Sequence, residues 1–434
     1  MTRKRIAAAL AAALGLAGEA AAQGVEVAPL KPPDLFSPAG RDTGLPPTLW
    51  RGASVLTART VLPMLAARPL SPAAAALARR VLATGAEGPE GAGQDLALAG
   101  ARVQALTALG DLKSAAAILS RTTGLEKDPQ LSQAAAEAAL LAGDTDAACA
   151  TGEALTIGRD EPFWLRLRAY CQVRAGRTAA AQLTFDLAQA AARDPVYGRL
   201  MIARLSGGEA GSASLRNGLD YALSRDLKLD LAAAKPAPAV AAALSAAQPG
   251  AATWTLAPGP GQVRAAAAAL AAGDLARAQQ IRAGLVQDQI PDATRTDLAV
   301  LDAALAVAAG RPDGQTLDRL VERGATGEAR ARAQTAAVLL AAAGSLLGAV
   351  ARGELAGFTS VEAKAPTARV LALDLAGHDK AMGEAALLAL WTAAEAGPSG
   401  LAAGDRARIV RALRAAGLEA DARNFALEGL LALL

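Results

Sequence analysis

Residues 110–195 read GDLKSAAAILSRTTGLEKDPQLSQAAAEAALLAGDTDAACATGEALTIGRDEPFWLRLRAYCQVRAGRTAAAQLTFDLAQAAARDP, and segments within this stretch superimpose at a strict interval of 33 residues. Gly110, Gly143 and Gly176 recur with Ala115, Ala148 and Ala181 five residues on and with Pro129, Pro162 and Pro195 nineteen residues on. An acid precedes each proline: Asp128, Glu161 and Asp194. A fixed period of this length marks a two-helix unit that buries its apolar face only by stacking on its neighbours, as in a solenoid. Such an array offers a surface for holding partners.

Composition points the same way. Hydrophobic residues make up 53% of the 434-residue chain but aromatic residues only 3%, so alanine and leucine must supply most of the buried surface. Alanine loses no side-chain entropy in a helix, whereas strands draw on the β-branched and aromatic residues. The expected fold class is all-α. With 44 basic and 41 acidic residues the formal charge is +3, and beyond the first five residues the basic residues are mostly scattered singly. That leaves no basic stripe of the kind a nucleic-acid partner requires.

Working outward to the start of the chain, Arg3, Lys4 and Arg5 precede an apolar stretch from Ile6 to Ala17 and the triplet Ala20, Ala21, Ala22. A basic start, a short apolar run and small residues form a secretory signal peptide, with cleavage expected after Ala22. The run is short of the roughly 20 residues that span a bilayer, so no transmembrane anchor is expected after cleavage. The expected destination is a bacterial periplasm. Prolines 29, 32, 33, 38, 46 and 47 then crowd one segment, which reads as an extended tether because proline removes backbone donors.

The organisation expected from these features is a signal peptide over 1–22, a proline-rich tether over 23–48, helical repeats over 49–234, a proline-rich boundary over 235–262 and further helical repeats over 263–434. Ser71 and Pro72 open a helix in the favoured order of cap and first-turn proline. In the second half Gly273, Gly310, Gly344, Gly377 and Gly417 each read as the end of one helix, because glycine adopts positive φ without penalty. Their spacings of 37, 34, 33 and 40 imply helix pairs of varied length.

The third repeat, FWLRLRAYCQVRAGRTAAAQLTFDLAQAAARDP, resembles the tetratricopeptide motif. Gly176 matches the glycine before the second helix, Ala181 the small residue at the helix crossing, Phe185 the aromatic one turn on and Ala188 the next small position. Trp164 and Tyr170 resemble the first-helix aromatics, with Tyr170 about two positions early and Pro195 about two late. The first two repeats carry Leu119 and Gly152 in place of Phe185. The resemblance implies an alpha-alpha superhelix of such helix pairs, acting as an adaptor for protein partners of the cell envelope. A second implication is kinship with the non-catalytic superhelix of periplasmic lytic transglycosylases, hence contact with peptidoglycan. The catalytic domain of those enzymes carries a Glu-Ser pair, and this chain contains no such dipeptide.

The search for chemistry leads to a non-enzymatic expectation. A single histidine, His378, rules out every two-histidine metal motif and most nucleophile-base pairs. Asp144 and Asp146 lack the later glycine and glutamate of a calcium loop and read as acids at a helix start. Gly259-Pro260-Gly261 lacks the strand-to-helix context of a phosphate loop. No cofactor is expected. Cys149 and Cys171 lie about equally far from the turn near Asp160, so antiparallel helices would set them at one height, where a disulfide is geometrically allowed. An exported protein meets an oxidising compartment, which favours the bridge over the alternative of two small buried residues that never meet. Trp164, Tyr170 and Phe185 fall at core positions. Trp50, Trp254 and Trp391 are less constrained, and Trp254, in the proline-rich boundary, is the candidate contact residue because tryptophan often anchors interfaces.

Overall fold

The scarcity of β-formers leaves the helix as the repeating element, and helices account for the regular structure. A computed structural model describes residues 33–244, 261–285, 294–322, 327–358, 362–397 and 400–434. Among them are 21 α-helices, one short 3-10 turn and no strand. The expected signal peptide, the first part of the expected tether, boundary residues 245–260 and Trp254 lie outside the described residues.

The first half comprises α1 (Val55–Ala67), α2 (Pro72–Ala83), α3 (Leu96–Ala108), α4 (Leu112–Leu119), α5 (Pro129–Ala142), α6 (Thr145–Ala154), α7 (Pro162–Arg174), α8 (Thr178–Ala191), α9 (Pro195–Ser206), α10 (Gly218–Asp226) and α11 (Pro238–Leu244). The second comprises α12 (Gln262–Ala271), α13 (Leu275–Ala283), α14 (Arg295–Ala308), α15 (Gly314–Glu322), α16 (Gly327–Ala342), α17 (Ala349–Ala356), α18 (Thr367–His378), α19 (Met382–Ala396), α20 (Ala403–Ala415) and α21 (Glu419–Leu431).

Among the described residues the core runs through both halves of the chain. One hydrophobic cluster joins residues between Phe36 and Ala138 to residues between Val263 and Leu431, and a second holds Ala136 to Leu223. Helix α5 serves both, giving Leu131, Ala134, Ala135 and Ala138 to the first and Ala136 and Leu140 to the second. The reason is that α1 packs on α3 and α19, while α2 packs on α19 and α21, so the N-terminal helices find their apolar partners at the far end of the chain. Trp50 sits against Gly383 in α19, where an added Cβ would stand 2.7 Å from the indole.

Glutamates from the C-terminal helices complete this seam. The Ser54 N–H donates to Glu384 Oε2 at 2.8 Å, and the Thr57 hydroxyl donates to Glu384 Oε1 at 2.8 Å, both at the start of α1. At the start of α2 the Ser71 side chain makes no capping bond, and Glu428 Oε2 instead accepts the Ala73 N–H at 2.8 Å. A carboxylate satisfies the orphan donors of a helix N-terminus and interacts favourably with its dipole. Glu428 Oε1 also accepts from the buried Arg406 guanidinium at 2.7 Å.

The expected extended tether is folded over its described part. Leu35, Phe36, Leu49 and Trp50 are buried. Arg102, fully buried on α3, explains this. Its guanidinium donates to the carbonyls of Phe36, Pro38, Leu82 and Thr84 at 2.7 to 3.1 Å. Proline removes donors but keeps its carbonyl, so a proline-rich segment is well suited to a donor-only side chain. Burial pushes the Arg102 pKa down to about 10, which keeps it protonated at neutral pH.

Gly377 also differs from its expected place at a helix end. It lies inside α18, close against the Ala412 backbone of α20, and the left-handed turn falls at Lys380, with φ 55°.

Candidate functional site

In the strict repeats each recurring residue has a local task. Gly110, Gly143 and Gly176 take φ of 77°, 85° and 72° between the helices of a pair. Asp111 and Asp144 follow and cap α4 and α6 by accepting from Ser114 N and Ala147 N. Ala115, Ala148 and Ala181 are fully buried. Pro129, Pro162 and Pro195 are the first residues of α5, α7 and α9, and Asp128 and Asp194 cap two of these helices. Trp164, Tyr170 and Phe185 are buried.

The register also shows an exchange of side-chain size. Phe185 in α8 lies 6.0 Å, centroid to centroid, from Tyr197 in α9. One period earlier these positions are Gly152 in α6 and Trp164 in α7. A Cβ on Gly152 would reach only van der Waals distance, 3.6 Å from the Trp164 ring and 3.4 Å from Leu167. The larger Trp164 ring packs against Gly152, and a cavity of about 200 Å³ opens beside them between α6 and α7.

Its walls come from Cys149, Gly152, Trp164, Leu167 and Cys171, and its rim from Glu153, Arg159, Arg168, Gln172 and Arg177. A disulfide joins Cys149 to Cys171, with Cα atoms 5.8 Å apart, and ties α6 to α7 beside the opening. Arg159 donates to the carbonyls of Glu153 and Leu155 at 3.1 and 3.0 Å, and Arg168 donates to the Arg159 carbonyl at 2.9 Å. Neither arginine forms an ion pair among the described residues. Burial, and then the neighbouring charge of Arg159, hold the Arg168 pKa below its ordinary value. Arg177 stands 3.9 Å from Glu153, the single acid of the rim. The arrangement is an apolar slot beneath an excess of positive charge, suited to an anionic group on an apolar stem.

Sequence reasoning singled out Cys149, Cys171 and Trp164, which meet here, but missed Arg159, Arg168 and Arg177. The available signal was Gly152 at the register position of Phe185, together with Arg168 at that of Ala135 and Met201, both buried.

The first helices of the array carry part of their own chain. Helix α10 packs along α5, where Glu137 Oε2 accepts the Gly218 N–H at 2.7 Å. At its other end Asp226 accepts from the Tyr170 hydroxyl at 2.7 Å and from Arg174 at 3.0 Å. Burial pushes the Glu137 carboxyl up to about 7; the Gly218 N–H opposes the shift and the Asp220 charge adds to it.

A larger cavity, about 490 Å³, lies between α15, α16 and α17 and mixes Asp318 and Glu354 with Arg330. Trp391 lies under the Arg369 guanidinium and donates to Glu395, and His378 is exposed at the end of α18. Among the described residues no cluster of three or more His, Cys, Asp or Glu is placed to hold a metal ion, and no helix is long and apolar enough to cross a membrane. The chain matches no family model, and no curated protein or solved structure is significantly similar to it.

Proposed function

We propose that the chain is an exported, non-enzymatic helical-repeat adaptor that binds protein partners in the bacterial cell envelope. The strict repeats wind as a tetratricopeptide-like alpha-alpha superhelix in this reading. The observation that carries it is the recurrence of helix pairs every 33 residues from Gly110 to Pro195, with turning glycines, buried crossing alanines and helix-starting prolines at equivalent places. Residues devoted to stacking units side by side build an extended surface, and extended surfaces of this kind serve as binding platforms. The basic start, apolar run and alanine triplet of residues 1–22 support export. The Cys149–Cys171 disulfide fits an oxidising compartment.

The test has two arms. Cell fractionation with N-terminal sequencing is expected to find the mature chain in the periplasm, starting at Gln23. Chemical crosslinking of envelope extracts is expected to give a defined protein complex that reforms from purified components. Sedimentation of the purified chain with isolated peptidoglycan, in the absence of any protein complex, would overturn the adaptor reading.

A further inference from the structure

We infer that the arginine-rimmed cavity between α6 and α7 receives one carboxylate of a protein partner, either an acidic side chain or a chain terminus. The inference rests on the adaptor reading and names the chemistry of its ligand.

Three features of the joint lead there. The first is the comparison of the chain with itself. At successive joints the paired positions are Leu119 with Leu131, Gly152 with Trp164 and Phe185 with Tyr197. Only the middle joint replaces a large side chain by hydrogen, and the disulfide spans that same joint. The larger Trp164 ring meets Gly152 on one side, and the missing side chain leaves the other side open to the cavity. The disulfide ties α6 to α7 beside the opening and limits its movement, which organises the cavity in advance for a ligand.

Size is the second feature. At about 200 Å³ the cavity is smaller than the roughly 300–1,000 Å³ typical of sites that enclose a whole small molecule. It fits a single group projecting from something larger.

Charge is the third. Three arginines face one glutamate on the rim. Arg168 is anchored through Nη2 to the Arg159 carbonyl, which leaves the rest of its planar fork for a ligand. That fork matches the two oxygens of a carboxylate. The walls of Trp164, Leu167 and the disulfide are apolar, so the favoured ligand has a methylene stem behind its charge. Inorganic phosphate lacks such a stem.

Calorimetric titration of the full mature chain, with its disulfide intact and at low salt, tests this. The probes are a hexaglutamate peptide blocked at both ends, a neutral peptide with a free C-terminal carboxylate, and inorganic phosphate. One site per chain is expected for at least one of the two peptides, and the peptide that binds identifies side chain or terminus as the source. Gly152→Phe installs the ring present at position 185, and Arg168→Met installs the residue present at position 201. Each is expected to weaken peptide binding about tenfold or more, the worth of a lost charge-assisted hydrogen bond or an occluded site. The circular dichroism spectrum should be unchanged. Should Gly152→Phe fail to fold, Arg168→Met decides alone.

Unchanged affinity in folded Arg168→Met, phosphate binding as tightly as the better peptide, or no binding by either peptide would each overturn the inference. If the peptides fail while the crosslinked complex persists, the cavity assignment falls and the adaptor reading stands. Peptide binding that is lost in both variants upholds the cavity assignment even where no complex is captured.

Discussion

The Glu428 carboxylate accepts the backbone N–H of Ala73 at 2.8 Å across 355 residues of sequence, so the last helix caps the second. Its other oxygen holds Arg406, at 6% exposure, in an ion pair where Glu428 itself is 8% exposed. A buried pair adds little over an apolar substitute, but removing one partner leaves the other charge unpaired. Glu428→Gln should therefore destabilise the protein by about 3 kcal/mol or more. Urea denaturation followed by tryptophan fluorescence checks it; because Trp50 packs on Gly383 in the same seam, both ends of the chain should unfold in one transition.

The Arg102 substitution acts on the proline-rich segment. Arg102→Met keeps an apolar stem but removes the donors to Phe36, Pro38, Leu82 and Thr84. The Phe36 carbonyl keeps the Ala86 N–H at 3.3 Å, while the other three lose their donor, at a cost of about 1–3 kcal/mol each where water cannot replace it. Limited proteolysis should then cut within residues 34–48 in the variant and spare them in the wild type.

A pH dependence follows from Glu137. Its pKa is about 7 in the folded chain against 4.5 ordinarily, so the folded state holds the proton more tightly than the unfolded one. Stability is fully favoured below about 4.5, falls as pH rises to about 7 and is level above that, with a total loss on the order of 3 kcal/mol. Asp95 and Asp194, held below their ordinary values, act in the opposite sense at lower pH. Glu137→Gln should flatten the curve between pH 4.5 and 7; melting temperatures across that range provide the measurement.

Much of the architecture was legible because its causes are local. A left-handed glycine, a capping aspartate and a first-turn proline act within one turn of where they stand, so the helix pairs from Gly110 to Pro195 can be read without knowing their neighbours. What escaped depends on distance. Glu384 and Glu428 look like ordinary surface acids until α1 and α2 are set beside them, and Arg102 looks like one of many scattered basic residues. The prolines over 23–48 point to an extended tether, but the order of its described part comes from that arginine. Gly377 was read as a turn because glycine favours one, yet close approach to Ala412 is what uses its missing Cβ. The cavity was half legible: Gly152 stands at a register position that carries Leu119 and Phe185 elsewhere, but the three rim arginines are brought together only by the fold.

Reduction of the disulfide should cost about 3 kcal/mol, since it closes a short loop in the unfolded chain. Mass measurement after alkylation, with and without prior reduction, should show no free thiol in the native protein. Thermal melts of Cys149→Ser/Cys171→Ser should show a loss of similar size.

The adaptor reading meets its most direct test in intact cells. A photo-reactive residue placed in turn at the exposed positions Ile157, Leu187 and Leu371 records what lies against the protein in its own compartment. A discrete adduct with a single envelope protein from at least one position is the predicted result. Adducts confined to glycan strands, or no adduct at any of the three with the chain recovered alone, would contradict the account.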